Sequence, residues 1–477
     1  MSDLGTDTPD PGDDGPRAYN GNDSGPVNGL NTNATAPASP VTPTPHSYPI
    51  PTAQTAGADV PDSGFNWVLN DPTILKTNKF HMHDYDQGLQ GALWYLKSVS
   101  ERYLVNQTVF TVNLKNETAA SGDKHDYESL ARYFWPNESA PNGLPYIRKD
   151  GHVNPEILSI PDYNLFRDMV KHVQYLALGY YFFNNETYAA KGVERINTWF
   201  VNEDTRMNPH LQYASYVKGQ ASGRGKGIID FSVMNELLDA IVILQTSQSW
   251  QPRMNANLRL WFTQYRDWLE NSPNGTYYDV QLMSVCIFLG DNATAQAIAQ
   301  NATAARIAVQ LFTTGEMHWE TERPFSWFYS VFNMKDLFIL GNLANRVGVD
   351  LFHYVTVDGK SIRKSLDFLL PYALNEPAWP YTNTLGFGAS KELVKVLQDA
   401  FDVYGDGKYY NASLKVAHAW PMIYNVTRLT QSWDIFGDHS ARTFGTASQA
   451  VLNVLPVMSM ATMTIVAVFA SYWLTLF

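Results

Sequence analysis

The chain has 477 residues, 45% hydrophobic and 17% charged, enough apolar material for a large core. Its formal charge of −12 argues against nucleic acid as a partner, which calls for a basic surface, but leaves room for an anionic ligand in a locally basic cleft. Aromatic residues make up 13%, with 27 Tyr and 13 Trp, a mixture that suits either a helical core or the stacking surfaces of a carbohydrate site.

Residues 1–61 are rich in Pro, Gly, Asn, Asp and Thr, as in Thr35-Ala-Pro-Ala-Ser-Pro-Val-Thr-Pro-Thr-Pro45. They bury too little apolar surface to fold, and disorder is predicted. No charged segment followed by an apolar run is visible there, so no signal peptide is read. From residue 62 to 442 apolar side chains recur at helical spacing. Residues 86–103 carry Leu89, Leu93, Leu96 and Val99 on one face. Residues 162–183 carry Leu165, Met169, Val173, Leu176 and Tyr180, with Asp162 after Pro161 as a candidate cap. Helices are predicted also over 188–200, 231–244, 255–269, 280–289, 294–312, 327–347, 362–370 and 391–401. No run of short alternating strands appears. The domain is therefore all-α, built of antiparallel helix pairs that could stack as a solenoid or close into a toroid. The Gly-rich run Gly219–Gly227 lacks the Gly-Lys-Ser/Thr ending of a phosphate loop, and no strand is predicted before it.

The last segment, 443–477, has no charged residue from Ala450 to Phe477, and the small residues Gly445, Thr446, Ala447 and Ser448 precede its apolar stretch. It reads as a lipid-anchor signal or a membrane helix, with a buried C-terminal helix as the bland alternative. The lack of Lys or Arg after the tail favours the removable signal. Asn-X-Ser/Thr occurs at eleven positions: Asn22, Asn33, Asn106, Asn116, Asn137, Asn185, Asn274, Asn292, Asn301, Asn411 and Asn425. Sequons and tail together predict an extracellular glycoprotein held at the membrane by its C-terminus. The single cysteine, Cys286, lies in the apolar run Val285-Cys-Ile-Phe-Leu289 and reads as a buried small hydrophobe.

Chemistry concentrates in Ser121-Gly-Asp-Lys-His-Asp-Tyr127 and Tyr133-Phe-Trp-Pro136, followed by Gly143-Leu-Pro-Tyr-Ile-Arg148. Rings there can stack on sugar faces while charged groups read hydroxyls and carboxylates. These segments resemble the first block of the alginate lyase domain. Met207-Asn-Pro-His-Leu-Gln-Tyr213 and Gly223-Arg-Gly-Lys-Gly-Ile-Ile-Asp230 resemble the second, and Gly275-Thr-Tyr-Tyr-Asp-Val-Gln281 and residues 320–333 the third and fourth, all in the family's order. The resemblance implies an incomplete (α/α) toroid, and a monomer is expected. It also implies cleavage of an anionic uronate polysaccharide by β-elimination, with no required cofactor.

Such a reaction has three demands. The uronate carboxylate must be neutralised, a base must remove the C5 proton, and an acid must protonate the departing O4. By resemblance, Tyr329 in Arg323-Pro-Phe-Ser-Trp-Phe-Tyr329 is both base and acid, Arg323 supplies the positive charge that a phenol needs, and Asn274 completes the catalytic set. Six residues apart on one helix would point Arg323 and Tyr329 away from each other, so their meeting depends on the turn at Pro324. His125, Tyr127, Tyr133, Trp135, Arg224 and Tyr278 are the expected substrate-binding residues. Two departures stand out: Ser272-Pro-Asn-Gly275 replaces the family's Asn-Asn-His-Gly, and Phe328 stands where a His usually precedes the Tyr. A catalytically silent carbohydrate-binding protein is therefore the alternative. Glycoside hydrolysis would need a paired set among Asp126, Glu128 and Asp279, and His81 with His83 lacks a third metal ligand nearby, so no metal is expected.

Overall fold

The computed structural model describes residues 64–83, 87–271, 276–384, 386, 388–419 and 428–430. Segments 1–61 and 443–477 and Asn274 lie outside them.

Fourteen helices occur among the described residues: α1 (Pro72–Phe80), α2 (Gln87–Val105), α3 (Asp162–Phe183), α4 (Glu186–Ile196), α5 (Met234–Leu244), α6 (Pro252–Glu270), α7 (Thr276–Leu289), α8 (Asn292–Ala302), the short α9 (Ala308–Gln310) and α10 (His318–Thr321), α11 (Ser326–Arg346), α12 (Ile362–Leu374), α13 (Leu393–Tyr404) and α14 (Gly407–Ala419). Tight turns fold neighbours back on each other. Asn184 takes the left-handed conformation (φ 51°) to end α3, and the Asn185 side chain accepts the Thr187 N–H at 3.0 Å to start α4. Gly290 and Asp291 do the same between α7 and α8, with the Asp291 carboxylate accepting from Thr294 N–H at 3.2 Å. Gly405 (φ 64°) ends α13 before α14. The pairs α3–α4, α7–α8 and α13–α14 pack closely, and α7 also meets α5, α6 and α11. That position explains why α7 is apolar all round. The architecture is all-α, an incomplete (α/α) toroid of helix pairs.

Several expectations shift in detail. Helices α1 and α14 were not predicted; the first is short and weakly patterned, and the second opens on Gly407. The predicted helix over 294–312 is broken by a π-helical turn at Thr303–Ile307, and α4 likewise runs into one at Asn197–Val201. Asp162 is not a cap. Its carboxylate is buried and accepts from Lys115 Nζ at 2.9 Å and from the Glu128 N–H at 3.0 Å, tying the loop before β1 to the start of α3.

The strands among the described residues form two ribbons. β1 (Glu128–Leu130) runs parallel to β4 (Tyr213–Tyr216), with Glu128 opposite Tyr213 and Leu130 opposite Tyr216. β2 (Phe134–Trp135) pairs antiparallel with β3 (Ile147–Arg148), with Phe134 opposite Arg148 and Trp135 opposite Ile147. Contrary to the sequence reading, a strand does precede the Gly-rich run, and the glycines serve its packing. A Cβ at Gly223 would sit 1.8 Å from the Gln212 carbonyl oxygen, and one at Gly227 would sit 2.4 Å from the Ala214 Cβ.

Two buried carboxylates hold elements together. Asp279 on α7 receives Arg306 Nε at 2.8 Å and Nη2 at 3.0 Å, fixing the π turn after α8. Asp239 on α5 accepts three consecutive amides, from Val68 at 2.8 Å, Leu69 at 2.9 Å and Asn70 at 2.7 Å. Burial still pushes its carboxyl up to about 6 against those three donors. Among the described residues no helix is long and apolar enough to cross a membrane, and the apolar tail lies outside them.

Candidate active site

Two parts of the chain converge at the start of α11. Before that helix, the backbone at Pro324 is fixed by the Thr384 N–H donating to its carbonyl at 2.8 Å. The Ser326 hydroxyl donates to the Thr382 carbonyl at 2.5 Å and accepts from Trp379 Nε1 at 2.7 Å. Arg323 therefore lies in a turn outside the helix and folds back along it. Its Cζ sits 3.8 Å from the centre of the Tyr329 ring. The turn makes the contact that regular helical spacing forbids.

The ribbon β2–β3 supplies the second part. Tyr133 immediately precedes β2, and its hydroxyl lies 2.7 Å from that of Tyr329. Asp150 follows β3 and accepts from Arg323 Nε and Nη2, both at 3.3 Å, while Arg148 Nη2 lies 3.4 Å away. Phe325 stacks near Tyr329 at 6.3 Å, and Phe328 meets it edge-on at 5.5 Å. The guanidinium thus covers the ring face, in cation–π contact, and its N–H groups are turned to Asp150.

The sequence reading makes Tyr329 the base and acid and so needs its phenol within reach of a polymer. Instead both phenols are enclosed, each 1% exposed. Burial is the main force raising the Tyr329 phenol well above its ordinary value; neighbouring Tyr133 and Asp150 add to it, and Arg323 opposes it. Tyr133 is also raised by burial, but the hydrogen bond from Tyr329 and the charges of Arg132 and Arg323 hold it back. The Arg323 guanidinium stays firmly charged: burial disfavours it, but Tyr329 and Asp150 outweigh that.

The other predicted residues scatter. Trp135 is half-buried on β2, with its indole N–H given to the His152 carbonyl at 2.7 Å and the Lys149 ammonium 5.8 Å from its ring. His125, half-buried, places Nδ1 2.6 Å from the Arg206 carbonyl beside a cluster in which Asp126 meets Asn208 at 2.7 Å and His210 at 3.1 Å. Tyr127 is corrected: it is fully buried and donates to Asp230 at 3.1 Å, so it offers no surface to a polymer. Tyr278 is corrected too, because α7 turns it into the main apolar core. Arg224 donates to the Ser215 carbonyl at 2.9 Å and hydroxyl at 2.8 Å, bracing a residue with φ 55°, and its guanidinium lies 4.8 Å from the centre of the Phe134 ring. Those two donors serve the fold rather than a bound uronate. Asn274 lies outside the described residues.

The three carboxylates named for hydrolysis are each held by other partners. Asp126 is held by Asn208 and His210, Asp279 by Arg306, and buried Glu128 lies near Asp162 and Lys115. Burial, with Asp162 adding and Lys115 opposing, lifts the Glu128 carboxyl to about 7. The sequence reading missed Asp150. Its signal was available, since it stands two residues beyond Arg148 at the end of a quoted block, but only the ribbon brings it under Arg323.

A search of curated proteins returns no match. Against solved structures, the chain is similar to an alginate lyase from Bacteroides ovatus, with 32% identity, a TM-score of 0.70, and coverage of 74% of this chain and 96% of that one. It also aligns with alginate lyase A1-III from Sphingomonas species A1, at 15% identity and a TM-score of 0.48 over 72% and 91% of the two chains. The Alginate lyase family matches residues 111–379, more than half of the sequence, including Tyr133, Asp150, Arg323 and Tyr329. The chain belongs to the alginate lyase family.

Proposed function

We propose that this protein is a polysaccharide lyase that cleaves an anionic, uronate-containing polymer of the alginate type by β-elimination. One observation carries the reading: the Tyr329 ring lies under a guanidinium anchored by a carboxylate, within the family match. In the reaction, Tyr329 takes the C5 proton and returns a proton to O4 as the C4–O4 bond breaks and C4=C5 forms. Arg323 favours the charged state of that phenol from its ring face. Asn274 remains a proposed hydrogen-bond donor to the uronate carboxylate, and His125 and Trp135 remain proposed substrate contacts.

The new double bond conjugates with the carboxylate, so ultraviolet absorbance after mixing with alginate or glucuronan reads turnover directly. The Tyr329→Phe variant is expected to lose at least about 10²-fold in rate while still binding polymer. Unchanged turnover in that variant would remove the assignment. The silent binder is the second reading, favoured by the enclosed phenols and by Phe328 at the position of the family's His. Binding without any new absorbance from the wild type would select it.

The cell-surface placement remains part of this proposal. Its support is the apolar tail together with the seven sequons among the described residues. Asn116, Asn292, Asn301 and Asn411 are exposed, Asn106, Asn137 and Asn185 are half-buried, and none is buried. Glycan-bearing peptides at the four exposed asparagines are the expected result of mass spectrometry on protein from a secreting host. Bare asparagines at all four would overturn the glycoprotein assignment.

A further inference from the structure

The lyase reading uses Tyr329 and leaves Tyr133 unexplained. An apolar ring would pack at a site 1% exposed, yet this position carries a hydroxyl 2.7 Å from the reacting phenol. At that separation one O–H must point to the other oxygen, and an ionised partner would make the bond charge-assisted, about twice as strong as the neutral one. Charge is not evenly spread around the pair. Arg132 and Arg323 both favour ionisation of Tyr133, and Arg323 is the leading cation for Tyr329; Asp150, itself paired with Arg323 and near Arg148, opposes ionisation of either. Burial disfavours the charge on Arg132 itself, and Tyr163, Tyr133 and Asp230 together keep its guanidinium charged against that burial.

We infer that Tyr133 is the proton store behind Tyr329, so that the two phenols act as one acid–base unit; this rests on the lyase reading above. The unit is active when it carries one proton between its two oxygens, with Tyr329 donating to the Tyr133 oxygen. As the Tyr329 oxygen takes the C5 proton of the uronate, its own proton passes to Tyr133, leaving both phenols neutral and the electron pair on the substrate. As C4–O4 breaks, Tyr329 delivers a proton to O4 and the proton on Tyr133 moves back. One C5–H and one C4–O4 bond are lost, one O4–H and the C4=C5 bond are gained, and the pair is regenerated. Tyr133 never touches the polymer; it acts through Tyr329 and is a positioning and relay residue.

The test is the Tyr133→Phe variant of the full chain, with ultraviolet detection on whichever uronate polymer the wild type cleaves. The alkaline rise of kcat/KM, which reports ionisation in the unliganded protein, is expected to move up by about one pH unit or more. The kcat at neutral pH is expected to fall by about 10²-fold with KM nearly unchanged. Rates in mixtures of light and heavy water should curve in the wild type, where two protons move, and become linear in the variant. Arg132→Gln keeps both hydroxyls and is expected to shift the same pH limb upward by a smaller amount. A Tyr133→Phe enzyme whose rate falls with the limb and the isotope curve unmoved would make Tyr133 merely structural and overturn the inference. So would an unmoved limb in Arg132→Gln, the arm that decides if Tyr133→Phe fails to fold. A wild type without elimination on any uronate polymer would instead overturn the lyase reading, and this inference with it.

Discussion

Arg323 shows how one side chain can be committed in two directions. Its planar face rests on Tyr329 and its fork meets Asp150. Lysine can reproduce neither the flat contact nor the paired donors, so Arg323→Lys is not conservative here. Asp150→Asn removes the anchor while leaving Arg323 charged and nearly buried. A loss of about 10- to 100-fold in kcat/KM is expected. Activity equal to wild type in both variants would show that the guanidinium has no part in turnover. At this scale the sequence was half legible. The Arg-Pro turn gave away the meeting of Arg323 and Tyr329, since Pro324 marks where the helix begins. Tyr127 and Tyr278 misled, because a tyrosine carries the same letter whether its ring lines a cleft or fills a core.

Among the elements, Arg306 and Asp279 form a nearly buried, bidentate ionic joint between α7 and the π turn after α8. Burial raises the Asp279 carboxyl in spite of the guanidinium. Removing the cation alone leaves a buried carboxylate unpaired. Arg306→Met is therefore expected to cost about 3–5 kcal/mol in denaturant unfolding, and Arg306→Met with Asp279→Leu much less. Equal losses in the single and double variants would refute that account. Helix α3 was readable to both ends because its apolar period is unbroken and an Asn–Asn turn stops it. The ribbon β2–β3 was not readable: two residues per strand carry no alternation, and its pairing is set by the loop between. Since that ribbon delivers Tyr133 and Asp150, half of the site was hidden for the same reason.

Over the whole molecule, buried acids set the pH response. Asp336 on α11 is buried, with Oδ2 lacking a hydrogen-bond partner among the described residues; burial raises its carboxyl from 3.8 to about 8, against Tyr277 and Lys335, which both oppose the rise. The folded protein therefore holds a proton there that the unfolded chain gives up near pH 4. The contribution of Asp336 to stability falls as pH rises from about 4 to about 8, then levels. Asp336→Asn is expected to match the wild type below pH 4 and to exceed it at pH 8 by a few kcal/mol, read from urea midpoints. A pH-independent difference would sink this assignment. Glu128, lifted to about 7, acts in the same direction over a narrower range.

The three amides that Asp239 receives lie in Val68, Leu69 and Asn70, far ahead of the family match that begins at residue 111. Anyone trimming this chain to its matched portion for crystallisation would strip those donors away and leave a stranded anion inside α5. Expression boundaries drawn upstream of Phe65 keep the clasp; boundaries drawn at 111 invite insoluble product.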